Sequence, residues 1–476
     1  MNRQVTQPVT KAGVQPGPEI PHGGELQPGS ETPHGAGLQP GLETPHGAEI
    51  QLRLEAQLGP EAEGTYPEMV FHMPEGMEVL KMLLNVEHHG AERSVIDLGV
   101  RDAGRMRGWS GGARDCFRIG PAEATPGYLP GPLDPGEWAV VLGAHRVAEA
   151  GCTISAEITL IPSSLRWLSG DLHLHTEHSD GTYSVEDTTA AARAAGLDFI
   201  VLTDHNTSSQ NVHAGYHRGV LVLPGMELTT GKGHCNLYGA ADPLPDFRAD
   251  QPDALRRRLA EARANGAYIS INHPHCPDCG WHWGFDADYD WVEIWNGPWR
   301  EANALTLAWW QEQLASGRRL TAVAGSDTHR PHPLVKHGWP TVWVLANSLS
   351  QDGILSAIRE GGVTLSFAPD GPRIELSCGG VFMGGICTIP AAASRNSSPE
   401  PVALTIRRVQ AGDEIRIWSE RGEERRYTAE QNGCLSLEWQ AGGRRFWRAE
   451  VWRDFPETGQ LLAAASNPVY FAGDEG

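Results

Sequence analysis

Asp171-Leu-His-Leu-His-Thr-Glu-His-Ser-Asp-Gly181 decides how the middle of this chain is read. Leu172 and Leu174 alternate with His173 and His175. A β-strand turns residues i and i+2 to one face, so the two imidazoles project together while the leucines pack behind them. Working outward, Thr203-Asp-His205, Gly233-His234, Asn272-His-Pro274 and Gly325-Ser-Asp-Thr-His329 also stand where apolar, β-rich runs end. Most of the chain's 20 histidines fall between His173 and His337. Several strands delivering neutral imidazoles and carboxylates to one rim make a ligand set that zinc, iron or manganese prefers over calcium or magnesium.

Around these clusters strand and helix signals alternate. Phe199-Ile-Val-Leu-Thr203, Val220-Leu-Val-Leu223, Ala267-Tyr-Ile-Ser-Ile271, Trp291-Val-Glu-Ile-Trp295, Leu320-Thr-Ala-Val-Ala324 and Thr341-Val-Trp-Val-Leu345 read as strands. Ser184 with Asp187 three residues on, Pro252 and Ser350 mark helix starts, and Gly196, Gly266 and Gly361 mark the stops. Such alternation predicts an α/β unit over residues 166–370, a mostly parallel sheet covered by helices. If that sheet curls into a barrel, residues at the strand C-termini converge on one mouth.

The flanks differ. Residues 63–165 and 371–476 consist of short alternating runs punctuated by Pro and Gly, the pattern of β-sandwich-like domains. Residues 1–62 carry a twelve-residue repeat, Gln-Pro-Gly at 15, 27 and 39 with Pro-His-Gly at 21, 33 and 45. So little apolar content cannot offset the entropy of ordering, and the segment is expected to be a disordered Pro/Gly-rich tail.

A chain of 476 residues exceeds one ordinary core, in line with several units. Its formal net charge of −21 repels nucleic-acid backbones, and no Lys/Arg-rich run offers a local footprint, so a small-molecule substrate is the expected partner. No run of apolar residues is long enough to span a bilayer, and the first residues lack the apolar core of a secretory signal, which reads as a cytoplasmic protein with no membrane partner. The eight cysteines are scattered, as reduced thiols would be.

In order and spacing, the clusters above together with Gly225-Met-Glu227 resemble the motifs of the PHP (polymerase and histidinol phosphatase) superfamily. Val292-Glu-Ile-Trp-Asn-Gly297, Ser466-Asn-Pro-Val-Tyr-Phe471 and the flanking β-domains are similar to its carbaryl-hydrolase-like branch, CehA/McbA. The resemblance implies a distorted (β/α)7 barrel holding two or three divalent metal ions, zinc, iron or manganese. It places His173, His175, Asp327 and a bridging Glu227 on a first metal, Glu227, His234 and His273 on a second, and Asp180, His205 and His329 on a third. It implies a hydrolase in which a carboxylate-bridged metal pair shares a water and depresses its pKa. A phosphomonoester or phosphodiester is the first substrate expectation and a carbamate or carboxylic ester the second. A non-catalytic metal-binding scaffold is the reading from another class.

His178 and His275, near the mouth, are candidate proton donors or phosphate contacts, and Asn296 is a candidate substrate contact. Asp171 and Asp204 flank ligand positions and could orient an imidazole through its far nitrogen. Cys276-Pro-Asp-Cys279 lacks the second pair a zinc ribbon needs and reads as a reduced or occasionally oxidised loop pair in preference to a structural zinc site. The tryptophans from Trp281 to Trp310 read as packing, or as part of an aromatic pocket.

Overall fold

In a computed structural model, the structure describes residues 48–388 and 401–472. The Pro/Gly repeat, including His22, His34 and His46, lies outside the described residues. The expected tail boundary at residue 62 is too late, because Ile50–Leu58 is a strand paired antiparallel along its whole length with Cys152–Pro162. Ile50, Leu52, Leu54 and Ala56 alternate with polar residues and pack on the N-terminal core. The repeat's composition, averaged over the segment, hid that alternation.

Two four-stranded antiparallel sheets then form the N-terminal unit. Met73, Leu80, Leu98, Ile119, Trp138, Ile154 and Ile158 fill the space between them. This is the arrangement expected when one face of each strand is apolar.

The central unit runs through Arg166–Asp171, Phe199–Leu202, Val220–Thr230, Gly233–Tyr238, Tyr268–Ile271, Trp291–Asn296 and Thr321–Gly325. Pairing is parallel at Arg166–Asp171/Phe199–Leu202, Phe199–Leu202/Val220–Thr230, Tyr268–Ile271/Trp291–Asn296 and Trp291–Asn296/Thr321–Gly325. Gly233–Tyr238 breaks the pattern as an antiparallel hairpin partner of Val220–Thr230. The three helices with sequence-legible ends are present. Ser184 accepts from the Asp187 amide at the start of Val185–Ala194, Pro252 opens Pro252–Ala264, and Ser350 accepts from the Gly353 amide before Gln351–Arg359. Glu301–Ala315 is a fourth helix that the sequence signals passed over. Its first residue follows Arg300, which makes no side-chain cap, so no start signal precedes it.

The expected closed (β/α)7 barrel is not what the strand ladders form. The hydrogen-bonded path is open and runs from Thr321–Gly325 through Arg166–Asp171 to Thr341–Ala346, Val363–Ser366 and on into Gly459–Ser466 of the C-terminal unit. The first and seventh strands meet only past their ends. There a single parallel bridge joins Leu174 to Thr328, with the Asp327 amide donating to the His173 carbonyl and the His175 amide to the Thr328 carbonyl. That junction is where the histidine motifs lie.

The C-terminal β-unit is therefore continuous with the central sheet. Asn467 strengthens the join: its Oδ1 accepts from the Ala322 amide at 2.8 Å while Nδ2 donates to the carbonyls of Ala322 and Val363. The buried side chain satisfies backbone groups on two central strands at once. No helix among the described residues is long and apolar enough to cross a membrane.

Deleting residues 372–476 should leave Val363–Ser366 as an unpaired edge and strip Phe446, Leu462 and Ala465 from the central core. We expect insoluble protein, read by the soluble fraction on expression. A soluble, folded truncation would show that the sheet does not need its continuation.

Candidate metal centre

Glu227 lies in Val220–Thr230 and is buried completely. Its Oε2 is 3.4 Å from His173 Nε2, 3.3 Å from His175 Nε2 and 2.8 Å from His205 Nδ1. Its Oε1 is 3.1 Å from His234 Nδ1 and 3.6 Å from His273 Nε2, and it accepts from Asn272 Nδ2 at 2.8 Å. One carboxylate thus turns each oxygen toward a different group of imidazoles. Asp327 Oδ1 joins the first group, 3.4 Å from His173 Nε2 and 3.1 Å from His175 Nε2. Nearby, Asp180 Oδ1 is 3.3 Å from His329 Nε2 and 3.7 Å from His205 Nε2.

The structure brings together all nine residues that the resemblance nominates. Their grouping differs in three respects: His205 belongs with Glu227 and His234 as well as with Asp180 and His329, His175 belongs with that last pair as well as with His173 and Glu227, and His273 groups with Cys276 and Cys279. His175 and His205 stand between clusters expected to be separate.

Several atoms in this cluster make no hydrogen bond although they are buried: His173 Nε2, both ring nitrogens of His175, and Glu227 Oε2. A buried polar atom without a partner costs on the order of 1–3 kcal/mol, so the cluster as it stands is incomplete. Imidazole nitrogens and carboxylate oxygens converging within a few ångströms are the donor set of a divalent transition-metal ion, and the residues present fit such ions. The electrostatics point the same way. Burial pushes the Glu227 carboxyl up, but the His173 charge, the close imidazoles of His173 and His205 and the His234 hydrogen bond outweigh it and hold it well below its usual range. Burial pushes His173 down, yet Asp327, Glu293 and Glu227 hold it well above its ordinary value. The carboxylates demand positive charge at this point, which a protonated imidazole or a cation can supply.

Surrounding groups fix the candidate ligands. His173 Nδ1 is 2.9 Å from Glu293 Oε1, His205 Nδ1 2.6 Å from the Thr229 hydroxyl, and His329 Nδ1 2.9 Å from the Asp327 carbonyl. Partners on the far nitrogen set ring orientation and raise ligand basicity. Glu293, buried in Trp291–Asn296, also accepts from the His273 amide at 3.0 Å. It was not singled out from sequence, although a lone carboxylate in an otherwise apolar strand is itself a signal. His273 and Asp327 have positive φ, 29° and 54°, a conformation costing on the order of 1–3 kcal/mol where no glycine relieves it. Both lie at the strand ends that aim side chains inward. Beside them, a Cβ on Gly325 would collide with His173 Cβ.

Other expected roles take a different form. Asp171 and Asp204 orient backbone, not imidazoles. Asp171 accepts from the amides of His173, Ser326 and Gly338, while Asp204 accepts from the Thr176 amide and hydroxyl and the Ser179 hydroxyl. His178 faces Ser209 and His213. His275 turns its Nδ1 to Thr306 and its ring toward Phe285 and Trp309, and burial lowers its pKa, so it is poorly suited to donate a proton at neutral pH. Asn296 donates to Glu293 and Asp327 and accepts from Arg300, so its amide is engaged in holding Asp327. The same contact brings Arg300, an exposed cation absent from the sequence reading, to the edge of the centre.

The family model described as the PHP domain matches residues 171–268, the stretch carrying His173, His175, Asp180, His205, Glu227 and His234. No curated protein matches it. Among solved structures, it is similar to a two-domain protein of Bacteroides vulgatus described as containing a predicted PHP-like metal-dependent phosphoesterase, at 20% identity over 63% of this chain and 95% of that one, with a TM-score of 0.36. It is also similar to an amidohydrolase of Chromobacterium violaceum with bound sulfate and no metal, at 16% identity over 35% and 89% of the two chains and a TM-score of 0.25. A third is a candidate metal-dependent phosphoesterase of Bifidobacterium adolescentis, at 17% identity over 40% and 94% and a TM-score of 0.26.

Glu227→Gln should lower bound metal at two positions at once, whereas Asp180→Asn should empty mainly the one shared with His329. Elemental analysis of both variants after supplementation with zinc, iron or manganese measures this, and equal losses would contradict the bridging role. Gly325→Ala should destabilise the fold by about 1–3 kcal/mol through overpacking at His173 and reduce metal content with it. Thermal unfolding and elemental analysis of the same sample check the two effects together.

Proposed function

We propose that this protein is a hydrolase dependent on two or three divalent metal ions, acting on a small-molecule phosphomonoester or phosphodiester. The observation that carries the reading is Glu227, whose two oxygens each face a separate set of imidazoles, with the Asp180 group alongside. Glu227 and Asp327 with His173 and His175 would hold one ion, Glu227 with His234 and His273 a second, and Asp180, His205 and His329 a third. Bound there, such ions supply Lewis acidity toward the electrophile and lower the pKa of water.

The chain's own residues do the rest. Glu293 and Thr229 hold His173 and His205 in place. Asn296 ties Asp327 to Glu293 and to Arg300. A guanidinium at the rim favours a substrate that carries negative charge, and a planar N–H fork suits phosphate oxygens. This supports phosphoesters over neutral esters.

One observation favours a carbamate or carboxylic ester as the second reading. Phe285 and Trp309 pack at 4.2 Å beside His275, and half-buried Trp283 bonds the Thr230 hydroxyl on the hairpin that carries His234. An aromatic wall of this kind suits an apolar leaving group.

p-Nitrophenyl phosphate, bis-p-nitrophenyl phosphate and 1-naphthyl N-methylcarbamate separate the two. We expect chelator-sensitive turnover of at least one phosphate, and turnover of the carbamate alone would promote the second reading. Arg300→Ala should lower kcat/KM for the phosphate by about ten- to a hundredfold, the value of a hydrogen bond to a charged group. It should leave the carbamate rate nearly unchanged.

A further inference from the structure

Cys276 and Cys279 take no part in the proposed chemistry, yet they lie in the loop that leaves His273. Their sulfurs are 2.8 Å apart. The loop curls tightly: the Cys276 amide donates to the His273 carbonyl and the Trp281 amide to the Pro274 carbonyl, both at 2.9 Å. A Cβ on Gly280 would crowd the carbonyls of Pro274 and Cys276. The backbone therefore presents the two thiols to each other in advance, and joining them closes almost no additional loop. Cys279 is half-buried and Cys276 buried, so Cys279 is the more accessible of the pair. Cys279 Sγ is also 3.6 Å from His273 Nδ1, the nitrogen opposite the one facing Glu227. A histidine that ligates through Nε2 carries its proton on Nδ1, and here the group placed to receive it is a sulfur.

We propose that Cys276 and Cys279 form a reversible disulfide that loosens the cation held by His273. The oxidant is a low-molecular-weight disulfide of the glutathione type. Cys279, as thiolate, attacks one sulfur of that disulfide, the S–S bond breaks and one thiol leaves. Cys276, as thiolate, then attacks Cys279 Sγ, forms the Cys276–Cys279 bond and expels the second thiol. The two protons lost from the cysteines end on the two departing thiols, and two electrons pass from the protein to the reagent. A disulfide sulfur accepts the Nδ1–H less well than a thiol or thiolate, so His273 loses the partner that fixes its tautomer. The coupling to the cation rests on the functional reading above, whereas the disulfide itself does not.

The tryptic peptide spanning residues 264–300 contains Cys276 and Cys279 and no other cysteine. Full-length protein is equilibrated in mixtures of reduced and oxidised glutathione, alkylated and digested. We expect this peptide to become unalkylated and lighter by two hydrogens under oxidising mixtures, and to revert on reduction. Zinc titrated into the oxidised protein should bind at the Glu227 centre at least about tenfold more weakly than into the reduced protein, the usual effect of losing such a partner. Cys279→Ser should hold zinc equally in both mixtures, with Cys276→Ser as a second variant should the first fold poorly. A peptide that alkylates fully in every mixture overturns the proposal. So does loss of one equivalent of zinc from both serine variants under reducing conditions, which would make the sulfurs metal ligands. A cross-link with unchanged zinc affinity overturns the coupling. Zinc binding in neither redox state would instead defeat the functional reading and the coupling with it, with the disulfide still judged by the peptide mass.

Discussion

The charge of Glu227, buried completely among His173, His175, His205, His234 and His273, is the constraint on which the rest of the central unit depends. A carboxylate taken out of water costs several kcal/mol unless it is paired and hydrogen-bonded. Here the partners arrive on separate strands, and each must be held at its own angle. Asp171 ties the His173 segment to Ser326 and Gly338, and Asp204 ties the following turn. Positive φ at His273 and Asp327 is the conformational cost of turning those side chains inward.

The same constraint gives the C-terminal unit a role. Asn467 clamps the backbone of Ala322, on the strand that leads to Gly325 and Asp327. A residue between the last two described strands thus helps to position a candidate ligand in the middle of the chain. The flanking β-unit, which carries no chemical motif, acts through continuity of the sheet.

How much of this was legible in the sequence depended on the range of the interaction. The His173/His175 pair was legible because strand periodicity is local, and the helix ends at Ser184, Pro252 and Ser350 because capping is local too. The helix Glu301–Ala315 lacked a capping residue and passed unread. The strand Ile50–Leu58 was hidden by the repeat that precedes it, and the single bridge that brings the first and seventh central strands together joins Leu174 to Thr328, far apart in sequence. Within the centre, residue types at strand ends announced the imidazoles and carboxylates. The supporting contacts were not readable: Glu293 to His173, Asn296 between Asp327 and Arg300, and Cys279 to His273 exist only once strands are side by side. That is also why His178, His275 and Asn296, plausible near the mouth, turn out to face other partners.

The most direct test of the account is a crystal structure of the protein grown with manganese or zinc, with anomalous scattering recorded on both sides of the metal's absorption edge. The account predicts anomalous peaks on the two sides of Glu227, each within coordination distance of one of its oxygens, and a further peak among Asp180, His205 and His329. Glu227 in its buried position with hydrogen bonds to its histidines and no anomalous peak at either oxygen would contradict it.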